Sequence, residues 1–426
     1  MASKVWHNFG QLVTGRLVSA VLTFIATLIM ARSLGPQEFG LVVLLHTYVL
    51  VARALVNFKP AELFVRYGVP LIDADDREGV TDLLGVVRSV ELLSMLSATL
   101  LALCAAPLVG PYLGWSDDTV VVAMIYSLVL LGSGVGTARG LCRAFERFDL
   151  LRIQLAIGPA VRLLGVLLAW QLQASWHYFA LAWGISLLVS YLYMRRQGRK
   201  LLREKRFKPR HMSFSAARDR FPGLANFAGV VYLQGNLDQL PRQLITLLIG
   251  AFLGSAAAGL YRIAREIADI LAKPVQLIRH AAFTELTRVA ENDPSALGSR
   301  VLRDSLKLLL PGVALVGIGF LWGDRALQLI AGEQYTGAYL LLVLLLAAAA
   351  IELLGALLRP LAYVLDRANA ALLVQLTTTG VYLLAFVLLS AAWGVSAVGI
   401  AACLAAVLGV VLMLVVVGKP RQRELG

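Results

Sequence analysis

Apolar residues in this chain fall into long runs separated by short polar stretches. The spacing predicts helices at about residues 8–31, 39–58, 83–109, 118–139, 151–171, 176–194, 223–251, 257–287, 304–324, 337–358, 370–391 and 395–418. Each run approaches the ~20 apolar residues that cross a bilayer core as a helix. The polar stretches alternate in charge. One set carries Lys59, Arg66 and Arg77, then Arg139, Arg143, Arg147 and Arg152, then a cluster from Arg195 to Arg220. It continues with Arg288, Arg300 and Arg303, then Arg359 and Arg367, with Lys4 at the head and Lys419, Arg421 and Arg423 in the tail. The other set carries only Arg32 and Arg325 against Glu38, Asp117, Asp118, Asp324 and Glu333. Twelve spans place every basic stretch on one side, which the positive-inside rule makes cytoplasmic, with both termini there.

A second pattern lies on the first. The stretch from Thr27 to Leu41 returns 219 residues later from Thr246 to Leu260, with identities at Thr27/Thr246, Leu28/Leu247, Leu34/Leu253, Gly35/Gly254, Gly40/Gly259 and Leu41/Leu260. Each copy ends one apolar run, turns through Leu-Gly, and begins the next. Six spans per half start both halves from the same side, so the repeat is parallel, about an axis along the membrane normal. The expected architecture is therefore an all-α polytopic membrane protein with twelve transmembrane helices in two six-helix lobes related by a parallel pseudo-two-fold repeat. Its parts are an N-terminal lobe over 1–194, a basic cytoplasmic linker over 195–222 and a C-terminal lobe over 223–426.

Composition agrees: 59% of residues are hydrophobic, 15% are charged, and mean hydropathy is +0.76. Soluble domains carry about 25% charged residues. The first apolar run, from about Phe9 to Ala31, is too long for the hydrophobic part of a signal peptide and reads as the first span. The net charge of +13 does not point to nucleic acid, because the stretch from Arg195 to Arg220 alone holds eleven basic and two acidic residues between two spans. Such a segment suits anionic headgroups. Cys104, Cys142 and Cys403 lie far apart and suggest neither disulfides nor a metal site. The glycines Gly132, Gly136 and Gly140 stand four apart, as in small-residue helix packing, and no preceding strand makes this run a phosphate loop. No GxxxxGK[ST] motif for ATP occurs.

Ionisable residues inside spans are costly and mark cavities or pathways. They are Arg16 in span 1, His46 and Arg53 in span 2, Arg88 and Glu91 in span 3, Arg162 in span 5, Asp238 and Arg242 in span 7, and Glu352 in span 10. Span 8 places Arg262, Arg265, Glu266, Asp269, Lys273, Gln276 and His280 on one stripe at 100° per residue. Arg262–Glu266, Arg265–Asp269 and Asp269–Lys273 stand at i,i+4 spacing, so this stripe is either a self-neutralised ladder or the wall of a hydrated cavity with spare positive charge. By the repeat offset His46 is equivalent to Arg265. The arginines Arg16, Arg53, Arg242, Arg262 and Arg265 outnumber the carboxylates Asp238, Glu266, Asp269 and Glu352, which suits an anionic cargo such as phosphate. Arg53 and Arg88, near span ends, would equally well snorkel to headgroups.

Three stretches carry a resemblance. Ala31-Arg32-Ser33-Leu34-Gly35-Pro36-Gln37-Glu38-Phe39-Gly40 resembles the turn after the first helix of the polysaccharide and O-antigen flippases, Wzx-type members of the multidrug/oligosaccharidyl-lipid/polysaccharide exporter superfamily. The turn Leu253 to Ala264 resembles the second signature of that family, and Arg143-Ala144-Phe145-Glu146-Arg147-Phe148 its basic stretch after span 4. The end of span 8, Arg279 to Phe283, departs from the family in lacking a proline. The resemblance implies a carrier, not an enzyme, of the bacterial inner membrane. Its cargo would be an undecaprenyl-pyrophosphate-linked oligosaccharide moved from the cytoplasmic to the periplasmic leaflet by alternating access, for surface polysaccharide synthesis. Arg16, His46, Arg53, Arg242, Arg262 and Arg265 would hold pyrophosphate and glycan. Asp238, Glu266, Asp269 and Glu352 are the candidates for coupling to Na⁺ or H⁺, and no other cofactor or metal is expected. The protein would act as a monomer in the bilayer, beside the polysaccharide polymerase. The competing expectation is a cation-coupled multidrug or metabolite antiporter of the same superfamily. A membrane glycan ligase or polymerase is disfavoured because the longest outer loop, about 325–337, has Glu333 as its one interior carboxylate.

Overall fold

The computed structural model describes the backbone of residues 2–210, 212, 214–292 and 297–418; the side chains of residues 2–9, 214–215, 237–238, 271–304, 306 and 308–309 lie outside the description. Among the described residues every regular element is helical. In chain order these are α1 (Ala2–Val56), α2 (Pro60–Asp73), α3 (Arg77–Val109), α4 (Asp117–Ser127), α5 (Gly136–Ala144), α6 (Phe148–Gln171), α7 (Trp176–Glu204) and α8 (Phe214–Arg220). They continue with α9 (Leu224–Asn292), α10 (Leu297–Ile330), α11 (Tyr339–Leu354), α12 (Leu358–Val364), α13 (Ala368–Trp393) and α14 (Ser396–Gly418).

Ten helical stretches among the described residues are long and apolar enough to cross a membrane, and two of them are double. Residues 10–56 run as one helical stretch of 47 residues. A straight helix of that length would span about 70 Å, more than twice the hydrocarbon core. The break is at Gly35, whose φ of 71° and ψ of 173° are not helical. In α9 the same break falls at Gly254, with φ 84° and ψ 175°. Only glycine reaches that conformation without a Cβ clash. Ten stretches with two breaks give the twelve spans that the hydropathy predicts, and the breaks are repeat-equivalent residues. Thr27 and Thr246, another equivalent pair, each donate a hydroxyl to the carbonyl four residues back, on Thr23 and Arg242.

The chain is a multi-pass membrane protein with twelve membrane-spanning helices in two six-helix lobes. Its contacts group into two compact units, Met1–Leu34 with Leu41–Leu247, and Gly35–Gly40 with Leu248–Gly426. Residues 223–247, which the spacing assigns to the second lobe, group with the first unit. There the Tyr232 hydroxyl donates to the Leu55 carbonyl at 2.6 Å and the Asn236 amide to the Ala54 carbonyl at 3.0 Å. In the second unit the short turn 35–40 packs on the turn 254–259. A Cβ on Gly40 would lie 1.8 Å from the Ser255 carbonyl oxygen, and a Cβ on Gly259 would lie 2.2 Å from the Pro36 carbonyl oxygen. The pairing is reciprocal, since Pro36 and Ser255 are themselves equivalent. Phe39 meets Tyr335 edge to face, and both are fully buried.

Three features depart from the spacing. First, the stretch after span 2 is the helix α2, entered at Lys59 in the left-handed region with Pro60 in its first turn. Its apolar face, with Leu63 and Phe64, packs into a core with Leu83, Leu84, Leu141, Cys142 and Met194. Second, span 4 is broken: α4 gives way to a 3-10 turn, Leu128–Gly132, and α5 starts four residues later. Irregular backbone at membrane depth survives only when protein or a cavity covers it, and Ser133 and Val135 are buried. Third, the basic linker folds onto α3, where the sequence suggests headgroup anchoring. Arg220 pairs with the buried Asp82 at 3.2 Å, Arg210 with Glu78 at 3.3 Å, and Phe221 enters the core beside α3.

Several helices end in Schellman turns, with a non-glycine residue at positive φ. After α5, Glu146 (φ 54°) is followed by Arg147, whose N–H reaches back to the Cys142 carbonyl at 2.7 Å. After α12, Asp366 (φ 59°) is followed by Arg367, bonded to the Ala362 carbonyl at 2.8 Å. The motif stretch around Glu146-Arg147 is thus a helix stop. Arg147 then grips Asp149 with two bonds of 2.9 Å, which raises the guanidinium pKa further.

Candidate functional site

The break in span 4 builds a cavity inside the first unit. The end of α1 contributes Leu50, Arg53, Ala54 and Asn57, the α2 entry Lys59, Pro60 and Glu62, and α3 Glu91, Ser94 and Met95. The broken span contributes Ser133, Gly134, Gly136, Arg139 and Arg143, and α9 contributes Gln239 and Gln243. The cavity measures about 270 Å³. Among the described residues, four cationic side chains and two carboxylates line it, a net charge of +2. It lies at the helix ends that lead into the basic stretches.

Five of these six charges are held by neighbours given by the geometry. The Arg53 Nη1 donates to the Tyr191 hydroxyl at 3.0 Å, and its guanidinium lies 5.5 Å from that ring's centre. The Arg139 Nε donates to the Gln154 side-chain oxygen at 3.1 Å. Arg143 pairs with Glu62 at 2.6 Å, both near 40% exposed. Glu91 is 8% exposed and accepts from the Thr137 N–H at 3.0 Å and the Thr137 hydroxyl at 2.7 Å, so a carboxylate from α3 caps the first turn of α5. Glycine permits this approach: a Cβ on Gly136 would meet the Pro60 ring at 2.3 Å and the Glu91 carboxylate at 3.2 Å. Gly132 packs on Tyr191 and Gly140 on Phe64; with the helix broken between Gly132 and Gly136, the glycines meet different elements and do not form the single helix-packing face that a spacing of four suggests.

Of the six cationic residues expected at the site, Arg53 lines this cavity. Arg16 and Arg242 are exposed on α1 and α9. His46 stacks on Trp183 at 4.2 Å, with its Nδ1 3.0 Å from the Tyr126 hydroxyl. The buried Arg162 lies 4.8 Å from the centre of the same indole. In the second unit Arg262 pairs with Glu266 at 2.9 Å and Arg265 with Asp269 at 3.0 Å, so the first rungs of the expected ladder form. Glu352 on α11 is exposed. The Asp238, Lys273, Gln276 and His280 side chains lie outside the described residues. Among the described residues, no three His, Cys, Asp or Glu side chains converge as metal ligands would.

Arg139, Lys59, Arg143, Glu62 and Glu91 complete the site, although the sequence places most of them in or beside loops. The signal available was the glycine run 132–136 with Arg139 three residues beyond it. It becomes informative only once span 4 is known to break there.

The profile of a family described as polysaccharide biosynthesis protein matches residues 5–283. The chain belongs to the polysaccharide biosynthesis protein family. A relative is the inner membrane protein YghQ of Escherichia coli (strain K12), 26% identical over 336 residues, covering 78% of this chain and 94% of that protein. Among solved structures the lipid II flippase MurJ, in an inward closed conformation, aligns with a TM-score of 0.71 at 13% identity over 96% of this chain and 87% of that one. An inward-facing multidrug resistance transporter of the MATE family and MOP superfamily aligns with a TM-score of 0.70 at 16% identity, over 95% and 96%. At these identities the likeness establishes a fold shared with these two proteins.

Proposed function

We propose that this protein is a flippase that carries an undecaprenyl-pyrophosphate-linked oligosaccharide from the cytoplasmic to the periplasmic leaflet of a bacterial inner membrane by alternating access. The basic loops and both termini are cytoplasmic in this reading, and the glycan is destined for a surface polysaccharide such as O-antigen, exopolysaccharide or capsule. The observation that carries it is the net-cationic cavity of the first unit, where Arg53 and Arg139 stand beside amide and hydroxyl side chains. Guanidinium groups recognise phosphate oxygens through paired N–H donors. Gln239, Gln243, Asn57 and Ser94 supply the hydrogen-bonding groups that a sugar next to the phosphate needs. The protein moves its cargo without covalent chemistry and works as a monomer beside the polymerase, with Na⁺ or H⁺ as the coupling ion.

The competing multidrug or metabolite antiporter would use Asp238, Glu266, Asp269 or Glu352 to exchange Na⁺ or H⁺ for a cation. Of these, Glu266 and Asp269 are engaged by arginines one helical turn away, which favours the anionic cargo. Mass spectrometry of lipid extracts from depleted cells tests the proposal. Accumulation of a pyrophosphate-linked oligosaccharide with loss of the surface glycan supports it. An unchanged lipid-linked pool overturns it. Replacing Arg53 and Arg139 together by Ala should reproduce depletion with at least a tenfold loss of glycan export, on the order of two charge-assisted contacts.

A further inference from the structure

The cavity contains a residue whose charge opposes its proposed cargo. We infer that Glu91 is a specificity-determining residue of this cavity, a fixed negative charge that limits how tightly the cations hold an anion and so sets the rate of its release. The inference rests on reading the cavity as an anion site.

Glu62 and Arg143 neutralise one another across 2.6 Å at the cavity edge. Among the described residues, the remaining lining charges are Arg53, Lys59 and Arg139, and Glu91. Glu91 is buried, and the Thr137 N–H and hydroxyl hold its two oxygens in place. It cannot swing away when an anion arrives without stripping the first turn of α5. A structural cap would not need a charge: an amide oxygen accepts the N–H as well, and the amide nitrogen can donate to the hydroxyl. The carboxylate therefore adds an electrostatic effect beyond its hydrogen bonds. With it the lining carries a net +2; without it, +3. A carrier must bind firmly enough to load and weakly enough to unload. At the effective dielectric of a partly buried site, one unit charge in the lining changes the affinity for an anion by about tenfold or more.

The Glu91→Gln variant separates charge from shape. Purified protein in phosphatidylcholine nanodiscs is titrated calorimetrically with inorganic pyrophosphate and with sulfate. The expected result is that Glu91→Gln binds pyrophosphate about tenfold more tightly than the parent, with a smaller gain for the less charged sulfate, while glycan export in cells slows. Thr137→Val, which removes the hydroxyl contact and keeps the charge, should leave affinity within about twofold of the parent. Measurable binding by the parent with equal or weaker binding by Glu91→Gln overturns the inference and leaves Glu91 as a helix cap, with the anion-site reading intact. Equal tightening by Thr137→Val and Glu91→Gln also overturns it, since loosening of α5 would then be the cause. Absence of binding by parent and both variants removes the anion site itself. Thermal unfolding of each variant identifies any that fail to fold, and Glu91→Asp then serves as the charge-retaining reference, with parent-like affinity expected.

Discussion

Gly40 and Gly259 have the least room for a side chain in the second unit. A methyl group on either would overlap a backbone carbonyl of the opposite turn, and backbone cannot rotate aside as a side chain can. Gly40→Ala or Gly259→Ala should therefore destabilise by about 1–3 kcal/mol, read as a lower unfolding temperature in detergent. Gly229→Ala, where nothing lies within 4 Å, should leave that temperature unchanged or raise it. These glycines were legible in the sequence because they recur at a fixed offset. Arg53 was legible because a cation in an apolar run is conspicuous. Arg139 was not, since a charge next to a span end normally means a loop; only the break in span 4 brings it into the cavity. Pairing of Arg262 and Arg265 with carboxylates was visible as i,i+4 spacing, but spacing alone could not choose between a ladder and an open wall.

Helices α5 and α12 end in the same left-handed turn, at Glu146 and Asp366, and each turn is followed by an arginine. An L-residue at positive φ is strained by about 1 kcal/mol. Asp366 is exposed, so Asp366→Gly should raise the unfolding temperature by a few degrees. The linker offers the opposite expectation. Asp82 is 2% exposed and its partner Arg220 reaches it from α8, so Asp82→Asn should loosen residues 205–222 from α3, with faster proteolysis of that segment in inverted vesicles. Hydropathy could not show this clasp or α2, because both are amphipathic elements held by tertiary contacts and not by length in the bilayer.

For the whole molecule, the span count and the parallel repeat were legible because the bilayer leaves few ways to satisfy backbone polar groups. The division of contacts was not, since it depends on which side chains reach across between helices. Residues 223–247 group with the first unit through Tyr232 and Asn236. A fragment 1–247 should accordingly elute from detergent size exclusion as a sharper, more heat-resistant peak than a fragment 1–222. Equal behaviour would mean that the α9 contacts add nothing to that unit.

The turn 35–40 belongs to the unit completed by residues 248–426. Phe39 leaves the ribosome early, whereas Tyr335, the ring that covers it, is made near the end of the chain. At 5–20 residues per second the interval is on the order of tens of seconds. Throughout it a glycine turn and an aromatic ring at one end of the first hairpin wait without their final neighbours. The second unit therefore cannot finish folding when its own helices have inserted; it must recruit a piece of chain made long before. A premature stop anywhere between these two points should leave that turn open to chaperones and proteases, whatever the quality of the helices already in place.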